Sequence, residues 1–240
     1  MQDKKVINIG CGEWGFRHLP MREHFEIARD FNFKWLEFGI GGNQEGRLSE
    51  FPDSDEIVNF KSLNEEFNIA TPFCCIENDF TLVSEKDHLE MVDKAMRQIQ
   101  AAADCGAKQV RLFAGFTPVE KVDAAIWDRM IKAFWDTDEL CQRLDMTIAI
   151  ETHGGITFDD DGAAHHFNSV STDPDSLIRL IDQLPPKVGF NYDPGNIKAV
   201  RPDDKNCCLE QINERINYCH LKDWKRKCDG WVAVAIGDDD

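Results

Sequence analysis

Eight short apolar runs recur along this chain, and what separates them limits the folds it can reach. The runs are "KVINIGCG", "KWLEFGIGG", "NIATPFCCI", "KQVRLFAGF", "MTIAIETHG", "KVGFNYDPG", "INYCHLKDW" and "WVAVAIGDD". Helical patterns fill most of the gaps. Residues 87–105 place Leu89, Val92, Met96, Ile99 and Ala103 on one face and stop at Gly106, a glycine suited to a helix C-terminus. "STDPDSLIRLIDQLPP" offers Thr172 or Asp173 as N-cap, Pro174 in the first turn and two prolines as a stop. Residues 55–67 and 122–144 give two more apolar faces. Strands alternating with helices predict a parallel sheet. Eight such units predict a closed (β/α)8 barrel, one α/β domain over residues 1–240. Little room for a helix exists between Trp224 and Trp231, and none follows the eighth run. The final helix is therefore expected beyond Asp240.

Charge narrows the partners. Twenty-seven basic against 44 acidic residues leave a net charge of −17, a field that repels phosphate backbones and anionic membranes. The N-terminal "MQDKKVINIG" has no apolar stretch of signal-peptide or membrane-span length. Nine scattered cysteines include no CxxC pair, so they read as reduced core residues of a cytoplasmic protein rather than a disulfide framework or zinc knuckle.

In a (β/α)8 barrel the active site lies at the C-terminal ends of the strands, and the polar residues of this chain collect there. "IAIETHGG" ends the fifth run with Glu151 and His153, two residues apart and so on one side of the strand. The sixth run ends in Asp193 and Asn196, the seventh in His220, Lys222 and Asp223, the eighth in Asp238. A buried charge without a partner is costly. Carboxylates and an imidazole converging on one mouth make a site for a single divalent cation, with manganese first and cobalt, zinc or magnesium as alternatives. "GIGG" at 39–42 lacks the spacing of a dinucleotide loop and reads as a turn. Glu37 in "WLEFG" is read either as lining the barrel or as orienting a ligand. Arg111 in "VRLF" points inward to the mouth or outward to a salt bridge. His165 and His166 belong to an Asp-rich loop, exposed or folded over the site as a lid.

The strand-end pattern "ETHGG", "NYDPGN", "HLKD" and terminal "GDD" resembles the sugar phosphate isomerase/epimerase family. These are the xylose isomerase-like TIM barrels of AP endonuclease family 2, which include endonuclease IV, inosose dehydratase and the ketose 3-epimerases. The resemblance implies one divalent metal held by Glu151, Asp193, His220 and, at the fourth place, Asp238. It also implies substrate contacts at Asn196, three residues after the aspartate, and Arg226, six after the histidine. Gly237-Asp238-Asp239 departs from the family's Gly-Glu-Gly, shortening the second of two carboxylates that exchange protons with opposite faces of a carbon.

These residues predict a metal-dependent isomerase or epimerase of a small sugar, sugar phosphate or keto-polyol, acting through an enediolate. Glu151 is the first base and Asp238 returns the proton; His153, Asn196, Lys222 and Arg226 bind substrate. A lyase dehydrating a keto-inositol or cleaving a 3-keto-glycoside begins with the same proton abstraction. A non-catalytic barrel binding a sugar or a protein subunit is the reading from outside enzymes. No nucleic acid and no membrane is expected as partner, and a homo-oligomer stays open.

Overall fold

Alternation with period two inside the strands sets the two faces of the sheet. The computed structural model describes residues 8–239. Its helices are α1 (Met21–Asp30), α2 (Ser54–Phe67), α3 (Glu85–Asp104), α4 (Ala124–Arg143), α5 (Pro174–Gln183), α6 (Pro194–Val200) and α7 (Leu209–Ile212). Its strands are β1 (Trp35–Ile40), β2 (Ala70–Ile76), β3 (Gln109–Phe113), β4 (Thr147–Glu151), β5 (Gly155–Phe158) and β6 (Ala164–Phe167). After them come β7 (Gly189–Tyr192), β8 (Ile216–Cys219), β9 (Asp223–Lys227) and β10 (Gly230–Val234). Six strands pair in parallel in the order β1-β2-β3-β4-β7-β8. The first run is represented by one parallel bridge, Cys11 to Leu36; its residues 5–7 lie outside the described residues.

On one face of this sheet stand Leu36, Phe38, Ile40, Cys74, Ile76, Val110, Leu112, Ile148, Ile150 and Phe190, all with no exposed surface. They pack on the helices in a single apolar cluster with Phe25, Phe60, Met130 and Phe134. Each such side chain contributes about 1.5–3 kcal/mol of burial. Polar side chains stand among the alternate positions: Glu37, Arg111, Glu151, Asn191 and Tyr218. The sheet curls so that these meet. Tyr218 of β8 stacks on Phe73 of β2 with ring centroids 4.1 Å apart and reaches Glu37 of β1 at 2.9 Å.

Helix ends follow their capping chemistry. Asp53, Ser84, Asp123 and Asp173 each accept a bond from the backbone N–H three residues on, opening α2, α3, α4 and α5. The face of α3 is rotated from the expected one. Ala95, Ile99 and Ala102 turn inward with His88, while Leu89 is 60% exposed, because the small alanines let the helix lie close to its neighbours.

The eighth run departs from its expected place. It forms β10, which pairs antiparallel with β9 in a second sheet ordered β5-β6-β10-β9. A parallel crossover needs a dozen or more residues, and the segment between Trp224 and Trp231 is far too short for one. It turns back instead at Cys228 and Asp229, Cys228 in the left-handed region with φ 55°. The Asp-rich segment read as a loop carries the antiparallel pair β5 and β6. All nine cysteines are free, seven of them buried. Among the described residues no helix is long and apolar enough to cross a membrane.

Candidate metal and substrate site

Strand register brings the site together. Glu151, the last residue of β4, stands opposite Asn191 of β7, and Asn191 opposite Tyr218 of β8. Two residues further on, hence on the same face, come Asp193 and His220. One ligand atom each from Glu151, Asp193 and His220 lie within 4.8 Å of one another. The Glu151 side chain is 3% exposed and the Asp193 side chain has no exposed surface.

Four groups hold Glu151. Arg111 Nε lies 3.1 Å from its Oε2 and His220 Nδ1 lies 3.4 Å from the same oxygen. Asn196 Nδ2 donates to Oε1 at 3.0 Å, and Lys222 Nζ stands 3.8 Å from Oε1. Burial pushes the carboxyl up, but His220, Lys222 and Arg111 together hold it well below the usual carboxylate range. Asp193 differs. Its Oδ1 accepts the backbone N–H of Asn196 at 2.9 Å, capping α6, and its Oδ2 pairs with Lys222 at 3.0 Å. Burial and the neighbouring Glu151 raise it more than Lys222 lowers it.

His220 is fixed from behind. Its Nε2 meets Glu37 Oε2 at 2.7 Å, and Tyr218 donates its hydroxyl to that oxygen at 2.9 Å. Burial would lift the Glu37 carboxyl, yet His220, Arg111 and Tyr218 bring it to about 2. The other ring nitrogen, Nδ1, faces Glu151 and the Asn191 amide, 3.0 Å away. A histidine with one nitrogen anchored by a carboxylate and the other aimed at the Glu151 carboxylate, with Asp193 close by, is arranged as a metal ligand. Oxygen, oxygen and nitrogen donors fit a divalent cation, and Glu151, Asp193 and His220 are the residues to hold it.

A further ionic layer lies beneath. Arg111 and Arg47 both reach Glu77 Oε1 at 3.0 Å, and Arg47 Nε lies 3.4 Å from Glu13 Oε1. The Arg47 guanidinium occupies the space beside Gly39, where a Cβ would fall on it. Burial pushes Glu13 up to about 7 against the pull of Arg47.

The other expected residues divide. Asn196 and Lys222 join the cluster. His153 stands beside it, half-buried, packed edge-on against Phe113 and Phe116 at 5.1 and 5.5 Å; burial brings its imidazole down to about 4. Asp238 and Arg226 do not join. Asp238 is exposed in a turn after β10, its N–H bonded to Ala235 O at 3.0 Å. Arg226, exposed on β9, lies over the Trp231 ring at 4.4 Å and donates to Asp229 O. Arg226 lies on the antiparallel β9–β10 hairpin and Asp238 in the turn that follows it, both outside the six-stranded parallel sheet. His165 pairs with Asp159 on β5–β6, while His166 packs edge-on against Trp224 at 4.9 Å.

Sequence reasoning left Glu37 and Arg111 open, although alternation marks them: each is the polar residue between two apolar ones. Tyr218 lacks that signal, since the polar Asn217 precedes it, and only its place two residues before His220 puts it on the same face. Arg47 and Glu77 lie outside the strands and carry none.

A family description, xylose isomerase-like TIM barrel, matches residues 25–239. No curated protein sequence matches the chain. Among solved structures it is similar to a xylose isomerase-like TIM barrel protein from Mycobacterium smegmatis in complex with magnesium, at 14% identity and TM-score 0.67, covering 95% of this chain and 79% of that one. It is also similar to 3-keto-D-glucoside 4-epimerase from E. coli, at 15% identity and TM-score 0.61, covering 91% and 80%. A third is D-psicose 3-epimerase with D-tagatose from Clostridium cellulolyticum H10, at 8% identity and TM-score 0.68, covering 90% and 73%. At these identities the likeness is one of fold.

Proposed function

The chain belongs to the xylose isomerase-like TIM barrel family, and from that premise we propose a divalent-metal-dependent isomerase of a small neutral sugar or keto-polyol, manganese being the first metal. The observation that carries this reading is the convergence of Glu151, Asp193 and His220 at three successive strand ends. When bound, the cation supplies Lewis-acid stabilisation of the negative charge that develops on the substrate's oxygens.

The chain's own residues do the rest. Glu151, ionised throughout the neutral range, takes the proton from the carbon beside the carbonyl. The electron pair released passes onto the carbonyl oxygen and gives an enediolate. Glu151, its acquired proton open to exchange with solvent, then gives a proton to the former carbonyl carbon while the hydroxyl proton passes from one enediolate oxygen to the other, which completes an aldose–ketose isomerisation. Asn196 keeps Glu151 in place through its 3.0 Å bond. His153, held neutral by burial, and Lys222 offer hydrogen bonds to hydroxyls, and the rings of Phe113 and Phe116 suit the C–H face of a sugar. A neutral substrate is preferred to a phosphate because Arg47 and Arg111 are already engaged by Glu13, Glu77 and Glu151.

One observation favours a second reading, a lyase. Epimerisation needs acid and base groups on opposite faces of the carbon, and Asp238 stands exposed in the turn after the hairpin. A single base suffices for isomerisation or for β-elimination from a keto-polyol. The test is proton exchange in D2O with Mn2+, followed by NMR over a panel of neutral ketoses and keto-inositols. Wild-type protein should place deuterium beside the carbonyl, and Glu151→Gln should not. Product analysis separates isomer from dehydrated product. No exchange across the panel by Mn2+-loaded protein would sink both enzymatic readings and leave the sugar-binding barrel.

A further inference from the structure

Lys222 stands where a ligand to the metal would have to be freed. Its Nζ is 3.0 Å from Asp193 Oδ2 and 3.8 Å from Glu151 Oε1. Of these, Asp193 Oδ2 has no other hydrogen-bond donor, while Glu151 Oε1 also accepts the Asn196 amide at 3.0 Å. Asp193 Oδ1 is taken by the Asn196 N–H at 2.9 Å, and Glu151 Oε2 already faces Arg111 at 3.1 Å. A cation drawn to Asp193 and Glu151 therefore meets an ammonium already in place.

We propose that Lys222 is a tethered counter-cation that competes with the divalent metal for Asp193 and Glu151, and that metal binding releases it to the substrate. The proposal rests on the metal reading of this site. Two buried carboxylates without a cation are costly, and Lys222 keeps them paired. A divalent ion and an ammonium crowded onto the same oxygens repel each other, so the metal binds only as Lys222 withdraws.

The local structure permits this exchange. Lys222 lies in the irregular link between β8 and β9, and its side chain is 29% exposed. Its four-carbon stem can carry the ammonium towards solvent while the backbone stays in place. Gly195 holds the path open: a Cβ there would stand 2.6 Å from Lys222 Cγ and 2.7 Å from Lys222 O. The "DPGN" stretch thus serves two ends. Asp193 provides the ligand, and Gly195 clears the path of the lysine that guards it. Once displaced, the ammonium is a free donor at the edge of the cluster, ready for a substrate oxygen.

Two measurements test this without reference to turnover. Calorimetric titration with Mn2+ should show Lys222→Met binding at least tenfold more tightly than wild type, with Lys222→Arg close to wild type because the charge is kept. Mass-spectrometric footprinting with an amine-acylating reagent should show Lys222 of the wild-type protein more reactive at saturating Mn2+ than without it. The footprint uses unmutated protein, so it decides the matter even if Lys222→Met fails to fold. Mn2+ binding by the variant alone would support the proposal in its strongest form. Equal or weaker binding by Lys222→Met, or a Lys222 footprint that is unchanged or reduced by Mn2+, overturns the competition and leaves the metal site standing. Binding by neither protein overturns the metal reading and the competition with it.

Discussion

Glu37→Gln isolates the residue that holds His220 from behind. Glu37 is 4% exposed, and its Oε2 receives His220 Nε2 at 2.7 Å and the Tyr218 hydroxyl at 2.9 Å. Glutamine has nearly the same shape but no charge, and only one of its terminal atoms accepts. With the amide oxygen in the Oε2 position both donors keep an acceptor, and the charge-assisted character of the His220 bond is what is lost. Loss of a carboxylate that anchors a ligating histidine costs about 10–100-fold in metal affinity, or about 1.4–2.7 kcal/mol. Exchanging the charged acceptor for a neutral one costs a further ~1 kcal/mol of stability.

Mn2+ titration calorimetry reads the first quantity and urea unfolding the second. Tyr218→Phe serves as the control, since it removes the hydroxyl bond while His220 stays anchored, and its Mn2+ affinity should lie within about threefold of wild type, as for a residue outside the ligand shell. An affinity for Glu37→Gln within twofold of wild type, in a protein shown to be folded, would refute the anchoring role. The His220–Glu37 contact would then be a structural ion pair only.

Asp193→Ala should lose both Mn2+ affinity and about 1 kcal/mol of stability, because the side chain also caps α6; Asp193→Asn keeps the cap, so calorimetry should show weakened binding with an unchanged urea midpoint. Burial raises the Glu13 carboxyl from 4.5 to about 7, so folding favours its protonated form. That contribution is complete below about pH 4.5 and disappears as the pH rises through 7, a loss of at most about 3 kcal/mol. Urea melts at pH 5 and 8 should differ more for wild type than for Glu13→Gln, and an equal difference would remove Glu13 as the cause.

The parallel sheet and the cluster at its mouth were legible because both rest on period-two alternation in short runs. Glu151, Asp193 and His220 needed only strand order and register to meet. The hairpin was misread for a reason equally visible in the chain: too few residues separate Trp224 from Trp231 for a crossover, which forces an antiparallel return and carries Arg226 and Asp238 away. The inward face of α3 was ambiguous, since Ala95 and Ala102 mark a stripe as weakly as Leu89 and Met96 mark its neighbour strongly. Arg47 could not be read at all. Its place depends on Gly39 of another element lacking a side chain, a fact of packing rather than of local pattern.

The division of labour between the two faces of the sheet bears on how such a site is kept. The apolar face packs on the helices and carries the stability. The inner face is lined by Glu37, Arg111, Glu151 and Tyr218, whose burial is tolerated because each charge finds a partner within about 3.5 Å. Buried ion pairs of this kind add little net stability, since desolvation offsets the attraction, yet removing one partner leaves a charge stranded. The inner face is therefore held by mutual requirement: Glu37 fixes His220, Arg111 fixes Glu151, and Asn196 is placed by the Asp193 cap. Positions of this sort tolerate few substitutions and give little stability in return, which is the balance expected of a site preorganised for binding a cation and a polar substrate.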